Sequence, residues 1–395
     1  MTTNLEGTFR VMSKKLSSDL VSILSDLIAL PSPYPPGTSV EICAYAAKRL
    51  KKAGYKVEIA THKKGVDNVV ARMKGKAKGP VIAFNAHVDT VGVGERSNWK
   101  SDPYKAVVKG GLVYGLGSGN CKGSMAVQIW LAEEIARRGG PAKGELIFTF
   151  VADEENLGPE GMEYLRKSGK VRPDALILGA QTENNLIVAE RGVMWARITT
   201  KGRAAHAGNP GAGDNAILRM MRLVGALSSY YDKALKTRVS GLMKSTVNVG
   251  MFHGGHNTNV VPSACTVEID RRLLPNEKVK DAFKELKKVI DGVGEPKGEV
   301  AVEFLTGTNG FFAPENGQTV AAFEAVVKQQ TGRKVKFLSA TGVSDGRYYA
   351  DDGIEIINFG PGSGAQGHAA NESVPIASMV EAAEIQLEVV KRLLG

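Results

Sequence analysis

The chain has 395 residues, 43% hydrophobic and 23% charged, with a formal net charge of +10. That is the composition of an ordinary globular protein, with room for two or more domains at roughly 100–200 residues each. The basic excess sits in amphipathic stretches such as KRLKKAGYK (48–56) and KELKK (284–288). These read as solvated helix faces; with no aromatic-studded basic strand beside them, no nucleic-acid partner is expected. The surplus charge favours small anionic substrates instead. Cys43, Cys121 and Cys265 are odd in number and far apart, so they read as reduced thiols. The first residues, MTTNLEGTFRVMSKKL, lack an apolar signal core, and no apolar run approaches the ~18 residues of a membrane span. A cytoplasmic protein without membrane contact is expected.

In chain order, Leu20, Val21, Ile23, Leu24, Leu27 and Ile28 mark one face of a helix that ends by Pro31, and LPSPYPPG follows as a rigid turn. A second helix over 39–53 leads through Gly54 into the strand YKVEIA. PVIAFNAH (80–87) and ELIFTFVADEE (145–155) are short apolar runs suited to buried strands, with the helix KGSMAVQIWLAEEIARRGG between them. The character changes near Gly192. The strand VMWARITTKG, a helix over 214–231, the strands STVNVGMFHGG and SACTVEIDRRL, a helix over 277–291 and the strand EVAVEFL form an α+β block. A helix over 319–330, the strand IEIINFG and a helix over 378–394 then resume the earlier style. The pattern predicts a discontinuous α/β domain, 1–192 and 308–395, interrupted by an α+β (ferredoxin-like) insertion over 193–307.

Polar groups gather where strands end, which is where sites collect in open α/β sheets. HVD supplies His87 and Asp89, DEEN supplies Glu154 and Glu155, and a glycine-rich loop, GPGSGAQGHAANE, supplies His368. The loop GLGSGNCKGS (115–124) adds Asn120. It is not a Walker loop, because Lys122 is followed by Gly123, and it lacks the last glycine of a dinucleotide fingerprint.

AHVDTVG, NWKSDPYKAVVKGGLVYGLGS, DEENLGPEG and GHAANESVPI resemble the zinc aminoacylase, desuccinylase and glutamate carboxypeptidase family of metallopeptidases. TKGRAAHAGNP, GHNTNVVPSACTVEIDRRLLP and GVSDGR extend the resemblance through the inserted block, so it covers the chain from about Ser17 onward. The resemblance implies a catalytic α/β domain and a lid domain that makes a homodimer or higher oligomer. It implies that His87 binds one metal ion and Glu155 and His368 another, that Asp89 buttresses His87, and that Glu154 is the general base. Asn259 and Arg272 would hold substrate polar groups, and His206 would reach a neighbouring subunit's site to stabilise a developing oxyanion.

Two positions depart from that pattern. Asn120 stands where the family has an aspartate bridging two metals, and Gly179-Ala180-Gln181-Thr182 stands where it reads Gly-Glu-Pro-Thr. A paired change of this kind points to a natural, altered site rather than an inactivating substitution. With Glu155 the one remaining carboxylate ligand, two divalent ions ~3.5–4 Å apart would repel with little to offset them. One ion per chain is expected, manganese or zinc, held by Glu155 and His368 with His87 or Asn120; Gln181 and Glu183 are the candidate stand-ins. The best specific expectation is an aminohydrolase of an activated aromatic amine carrying a carboxylate, such as 5-nitroanthranilate, for which the family's relatives offer an example. Arg272, Arg191 or Arg347 would pair with the carboxylate or nitro group. The alternatives are an ordinary dinuclear dipeptidase, deacetylase or desuccinylase, and an inactive binding homologue.

Overall fold

The computed structural model describes residues 2–241, 243–314, 316–340 and 342–395, without the side chains of residues 2–13 and 366. The chain forms two compact units. One runs through Val188 and is completed by Ala313–Leu338 and Ser344–Gly395; the other comprises Ala189–Phe312 with Ser339–Val343. The architecture is therefore a discontinuous α/β unit with an α+β unit inserted. Among the described residues no helix is long and apolar enough to cross a membrane.

The first unit is built on a mixed sheet whose strands lie in the order Lys56–Lys63, Val66–Lys74, Lys143–Val151, Ala77–His87, Ala175–Leu178, Glu355–Asn358 and Leu186–Glu190. The four strands from Lys143–Val151 to Glu355–Asn358 are mutually parallel. Their registers set His87 opposite Val151, and Leu178 opposite both Asn85 and Asn358. All four chains thus leave the sheet at one edge. The apolar runs seen in the sequence exist because these strands are covered on both faces: Ile82, Ala83, Phe84, Leu146, Ile147 and Phe148 are all buried. Helices Thr2–Ile28, Lys122–Arg137 and Ile376–Leu394 pack on one another, and the last two also touch the Ala77–His87 strand.

Three strands of this sheet do not stand out in the sequence. Val66–Lys74 reads VDNVVARMK, with polar residues breaking any alternation, and Ala175–Leu178 is only four residues long. Leu186–Glu190 lies in the stretch just before the change of character at Gly192. The first helix begins at Thr2, well before its apolar face becomes regular, and the last begins at Ile376.

The second unit has the antiparallel order Thr246–Gly254, Ala264–Leu273, Gly192–Lys201, Val300–Thr308. Helices Ala216–Ala234 and Val279–Asp291 follow its first and third strands, which gives the βαββαβ connectivity of a ferredoxin-like unit. Its core is Met194, Ala196, Ile198, Met220, Leu223, Val267, Ile269 and Leu286.

The glycine-rich loop after Tyr114 is shaped by a carboxylate of the chain itself. Glu372 is buried; its Oε2 accepts a hydrogen bond from the Gly117 amide (2.8 Å), and its Oε1 accepts from the amides of Gly119 (3.1 Å) and Asn120 (2.6 Å). The loop is an anion-binding nest, but its anion is internal. Burial pushes the Glu372 carboxyl above its ordinary range while the three amides pull it down. A Cβ on Gly119 would fall 2.4 Å from Gln181 Nε2 and 2.9 Å from Glu372 Oε1, so that glycine serves close approach. Next in the chain, buried Lys122 donates from Nζ to the carbonyls of Leu27 and Leu30, each at 2.9 Å, tying the loop to the end of the first helix. Glu372→Ala leaves three amides without an acceptor and is expected to cost about 3–5 kcal/mol, at roughly 1–3 kcal/mol per buried unsatisfied group with partial relief by water. Glu372→Gln, which keeps an acceptor oxygen, should cost about 1–2 kcal/mol; urea unfolding monitored by tryptophan fluorescence distinguishes the two.

Candidate metal centre

His87 is the final residue of its strand, and Glu154 and Glu155 lie in the turn just past the neighbouring strand, Lys143–Val151. One potential ligand atom from each of His87, Glu154 and Glu155 lies within 4.8 Å of the others. Asp89, buried two residues beyond His87, accepts the Glu155 amide at Oδ2 (3.0 Å) and leaves Oδ1 3.5 Å from His87 Nδ1 without a hydrogen bond. His87 Nδ1 also lies 3.0 Å from the Asp89 carbonyl oxygen. A carbonyl only accepts, so Nδ1 carries the proton and Nε2 faces the cluster.

Asn120 joins the group from the nest loop. Its Nδ2 donates to Glu155 Oε1 (2.9 Å) and lies 3.1 Å from His368 Nε2, while its Oδ1 faces His87 Nε2 at 3.3 Å. His368 reaches inward from a residue with φ of 65°, with its side chain half exposed, and its Nε2 lies 3.0 Å from Glu155 Oε1. The Oδ1–Nε2 approach sets two acceptors against each other, an arrangement that calls for a cation or a proton between them. The electrostatics agree. Burial opposes charge on His87, yet Cys121, Glu154 and Asp89 hold its pKa well above the ordinary histidine value. The donor set of imidazole nitrogens, carboxylate oxygens and one amide oxygen thus suits a divalent transition metal, and without thiolate it has no special preference for zinc.

Glu154 is placed differently from Glu155. Its Oε2 lies 3.9 Å from His87 Nε2, while its Oε1 lies 3.7 Å from Arg347 Nη1. Burial pushes its carboxyl above the ordinary glutamate value, against the pull of His87 and Arg347. Arg347 itself has a side chain only 1% exposed and stacks its guanidinium 4.4 Å from the centre of the Tyr348 ring. Asp345 lies beside it, Oδ1 to Nη2 3.8 Å, and accepts at Oδ2 from Asn85 Nδ2 (3.3 Å). Burial holds the Asp345 carboxyl at about 8 despite the neighbouring guanidinium.

The structure therefore brings together His87, Asp89, Asn120, Glu154, Glu155, His368 and Arg347 in the first unit. Gln181 lies at the edge of this group: its side chain is close to Gly119 and Gly367, and its Nε2 has no hydrogen-bond partner among the described residues. Glu183 is exposed and stands outside the carboxylate cluster. In the second unit, His206 and Asn259 lie on adjoining exposed segments, since His206 bridges Val260 and the Ala207 amide donates to the Asn259 carbonyl (2.9 Å). His206 Nδ1 accepts from the Gly208 amide (3.0 Å), which leaves Nε2 as its donor. Arg272 donates from Nε and Nη2 to Asp270 (2.8 and 2.9 Å), and Arg191 donates to the Lys244 carbonyl (3.1 Å). Burial and the nearby Arg272 charge lower the Arg191 pKa. Asn85, Asp345 and Glu372 escaped the sequence reading. The last two lie inside stretches already singled out, GVSDGR and GHAANE, but nothing in a linear sequence marks a carboxylate as inward-facing.

Residues 83–392 match the model of peptidase family M20/M25/M40. A succinyl-diaminopimelate desuccinylase of Polynucleobacter necessarius is 27% identical over 365 residues, covering 88% of this chain and 93% of its own. Among solved structures, aminopeptidase PepT of Bacillus cereus superposes with a TM-score of 0.77 at 20% identity, covering 96% of this chain and 99% of its own. The YXEP protein of Bacillus subtilis, described as a dinuclear metal-binding peptidase, gives a TM-score of 0.74 at 16% identity, covering 96% and 99%. With the family match spanning most of its length and a ligand cluster at the sheet edge, this chain belongs to peptidase family M20/M25/M40 and is a metal-dependent hydrolase acting on carbon–nitrogen bonds.

Proposed function

We propose that this enzyme works with one metal ion per chain and hydrolyses the C–N bond of an activated aromatic amine that carries a carboxylate, 5-nitroanthranilate being the specific candidate. The carrying observation is Asn120. A carboxylate at this position could offer one oxygen to each of two ions, whereas an amide has a single oxygen. The Asn120 amide points that oxygen at His87 and fills the Glu155–His368 side with its N–H group. Turning the amide over would serve the other side and abandon the first. Glu155 belongs to either arrangement, since it touches His368 and clusters with His87. We therefore assign Glu155 as the principal ligand of a manganese or zinc ion, completed by His368 or His87 and the Asn120 oxygen, with Asp89 orienting His87.

When bound, such an ion supplies Lewis acidity and lowers the pKa of a coordinated water. Glu154 takes the proton from the attacking water, a task suited to a carboxyl raised by burial. Oxygen bonds to the ring carbon, negative charge spreads into the nitro-substituted ring, and Glu154 returns the proton as the amine leaves. The balance is aromatic amine plus water to phenol plus ammonia. A ring that takes up the charge itself needs less Lewis acid help than an unactivated amide. His206, Asn259, Arg272 and Arg191 would contact the substrate's polar groups, and Arg347 was read from the sequence in the same role. The insertion, read as 193–307, would act as lid and dimerisation domain. Support comes from its edge strand Thr246–Gly254, where Val249, Met251 and Phe252 are exposed, and from exposed Leu218 and Met221. The alternative is an ordinary dinuclear amidase, which the desuccinylase relative favours.

Three measurements test this reading. Elemental analysis after gel filtration should give about one metal per chain, whereas two tightly held ions would favour the dinuclear alternative. Glu154→Gln should lower turnover on the order of 10²–10⁴-fold while metal content stays that of the wild type; full activity would remove Glu154 as the base. In a substrate panel with divalent metal supplied, ammonia should be released from nitroanthranilate-like amines, with negligible cleavage of dipeptides or of N-acetyl and N-succinyl amino acids. The reverse pattern would overturn the aminohydrolase reading.

A further inference from the structure

Arg347 does not sit where a substrate-binding arginine would. Its side chain is 1% exposed, and the residues around it leave a substrate carboxylate no open approach. Asp345 lies on one side and the Tyr348 ring on another. A substrate carboxylate placed here would also crowd against the carboxyl groups of Glu154 and Asp345. Yet Arg347 Nε and Nη1 have no hydrogen-bond partner among the described residues, and such donors are rarely buried without use.

The use lies in how Glu154 is divided. Its Oε1 faces Arg347 Nη1 at 3.7 Å, and its Oε2 faces His87 Nε2 at 3.9 Å. The guanidinium thus engages one carboxylate oxygen and leaves the other directed at the ligand cluster. The cation is in turn anchored from two sides. Asp345, itself tied to Asn85 on the strand that ends in His87, faces Nη2. Nη2 also donates to Tyr348 Oη (3.0 Å), and that hydroxyl donates to the Gly158 carbonyl (2.7 Å), in the turn that carries Glu154. The chain Asn85–Asp345–Arg347–Glu154 therefore references the base to the same strand that fixes His87.

We propose that Arg347 is a positioning residue: it holds one oxygen of Glu154 so that the other stays directed at the His87–Glu155 cluster, where the attacking water would be activated, and it does not touch the substrate. This rests on Glu154 being the base, and the test separates the two ideas. Arg347→Met is compared with wild type by manganese bound per chain (electron paramagnetic resonance), by kcat and KM on whichever panel compound the wild type turns over, and by its crystal structure. Expected are unchanged manganese content, KM within about 3-fold, kcat lower by about 10²–10³-fold, and a Glu154 carboxylate rotated away from His87. Arg347→Lys keeps the charge but not the planar fork, and should recover kcat to within about 10-fold of wild type. A KM raised about 10-fold or more with kcat retained would make Arg347 a substrate ligand and overturn the proposal. Wild-type kcat in both variants, or an unmoved Glu154, would overturn it as well. If Arg347→Met does not fold, Arg347→Lys and Tyr348→Phe are read in the same way, and wild-type kcat in both decides against it. If Glu154→Gln is fully active, the base assignment fails on its own, and the Glu154 position in the variant structure still decides whether Arg347 holds that carboxylate. Should the wild type turn over nothing in the panel, the substrate reading fails, and the same structural comparison decides this one.

Discussion

Parallel pairing of the Ala77–His87 strand with Lys143–Val151, in a register that sets His87 opposite Val151, is the constraint from which the rest of the site follows. A parallel sheet sends successive strands out at the same edge, so the residues that follow them meet without any further device. Burial on both faces locks that register, because a slip of one residue would exchange the two faces of each strand. His87 and the Glu154–Glu155 turn are thereby neighbours before any loop is considered. What the loops add is chemistry: an amide from one, an imidazole from another, and a guanidinium from a third.

The nest loop shows how a motif can mislead when read alone. A run of glycines with backbone amides turned to one side is a familiar anion site, and here the amides do bind an anion. That anion is the Glu372 carboxylate, delivered from a point 252 residues beyond Asn120. The loop is consequently a rigid mount for one side chain rather than a ligand cradle. Held by its own backbone amide, Asn120 presents its side chain to Glu155, His368 and His87 together. An amide in that position cannot neutralise charge as a carboxylate would, and it offers each neighbour a different end. The donor at this point of the centre is therefore an amide, with one oxygen and one N–H group turned to different neighbours.

The two units carry different parts of the polar inventory. The candidate ligand cluster and Glu154 belong to the first unit, where the strands end at one sheet edge. His206, Asn259, Arg191 and Arg272 belong to the second, where Arg272 is already engaged by Asp270 and the His206 tautomer is fixed by the Gly208 amide. Such internal engagement leaves His206 a defined donor at an exposed position.

The amino-acid sequence by itself determined the fold class and the strands that end in His87 and near Glu154, and its resemblance to the family marked the two places that depart from the family's ligand pattern. Those features are local: apolar runs of strand length, a helix closed by glycines, and short motifs whose residue types are visible in place. Val66–Lys74 and Ala175–Leu178 were not legible because a polar-interrupted strand and a four-residue strand acquire their state from neighbours, not from their own periodicity. Arg347 was legible as a cation but not as a buried one, and Glu372 not as a buried anion. Whether a charged side chain faces solvent or faces a partner hundreds of residues away is decided only when the sheet has assembled. Pairing and desolvation are properties of tertiary contact, and no spacing in the chain encodes them.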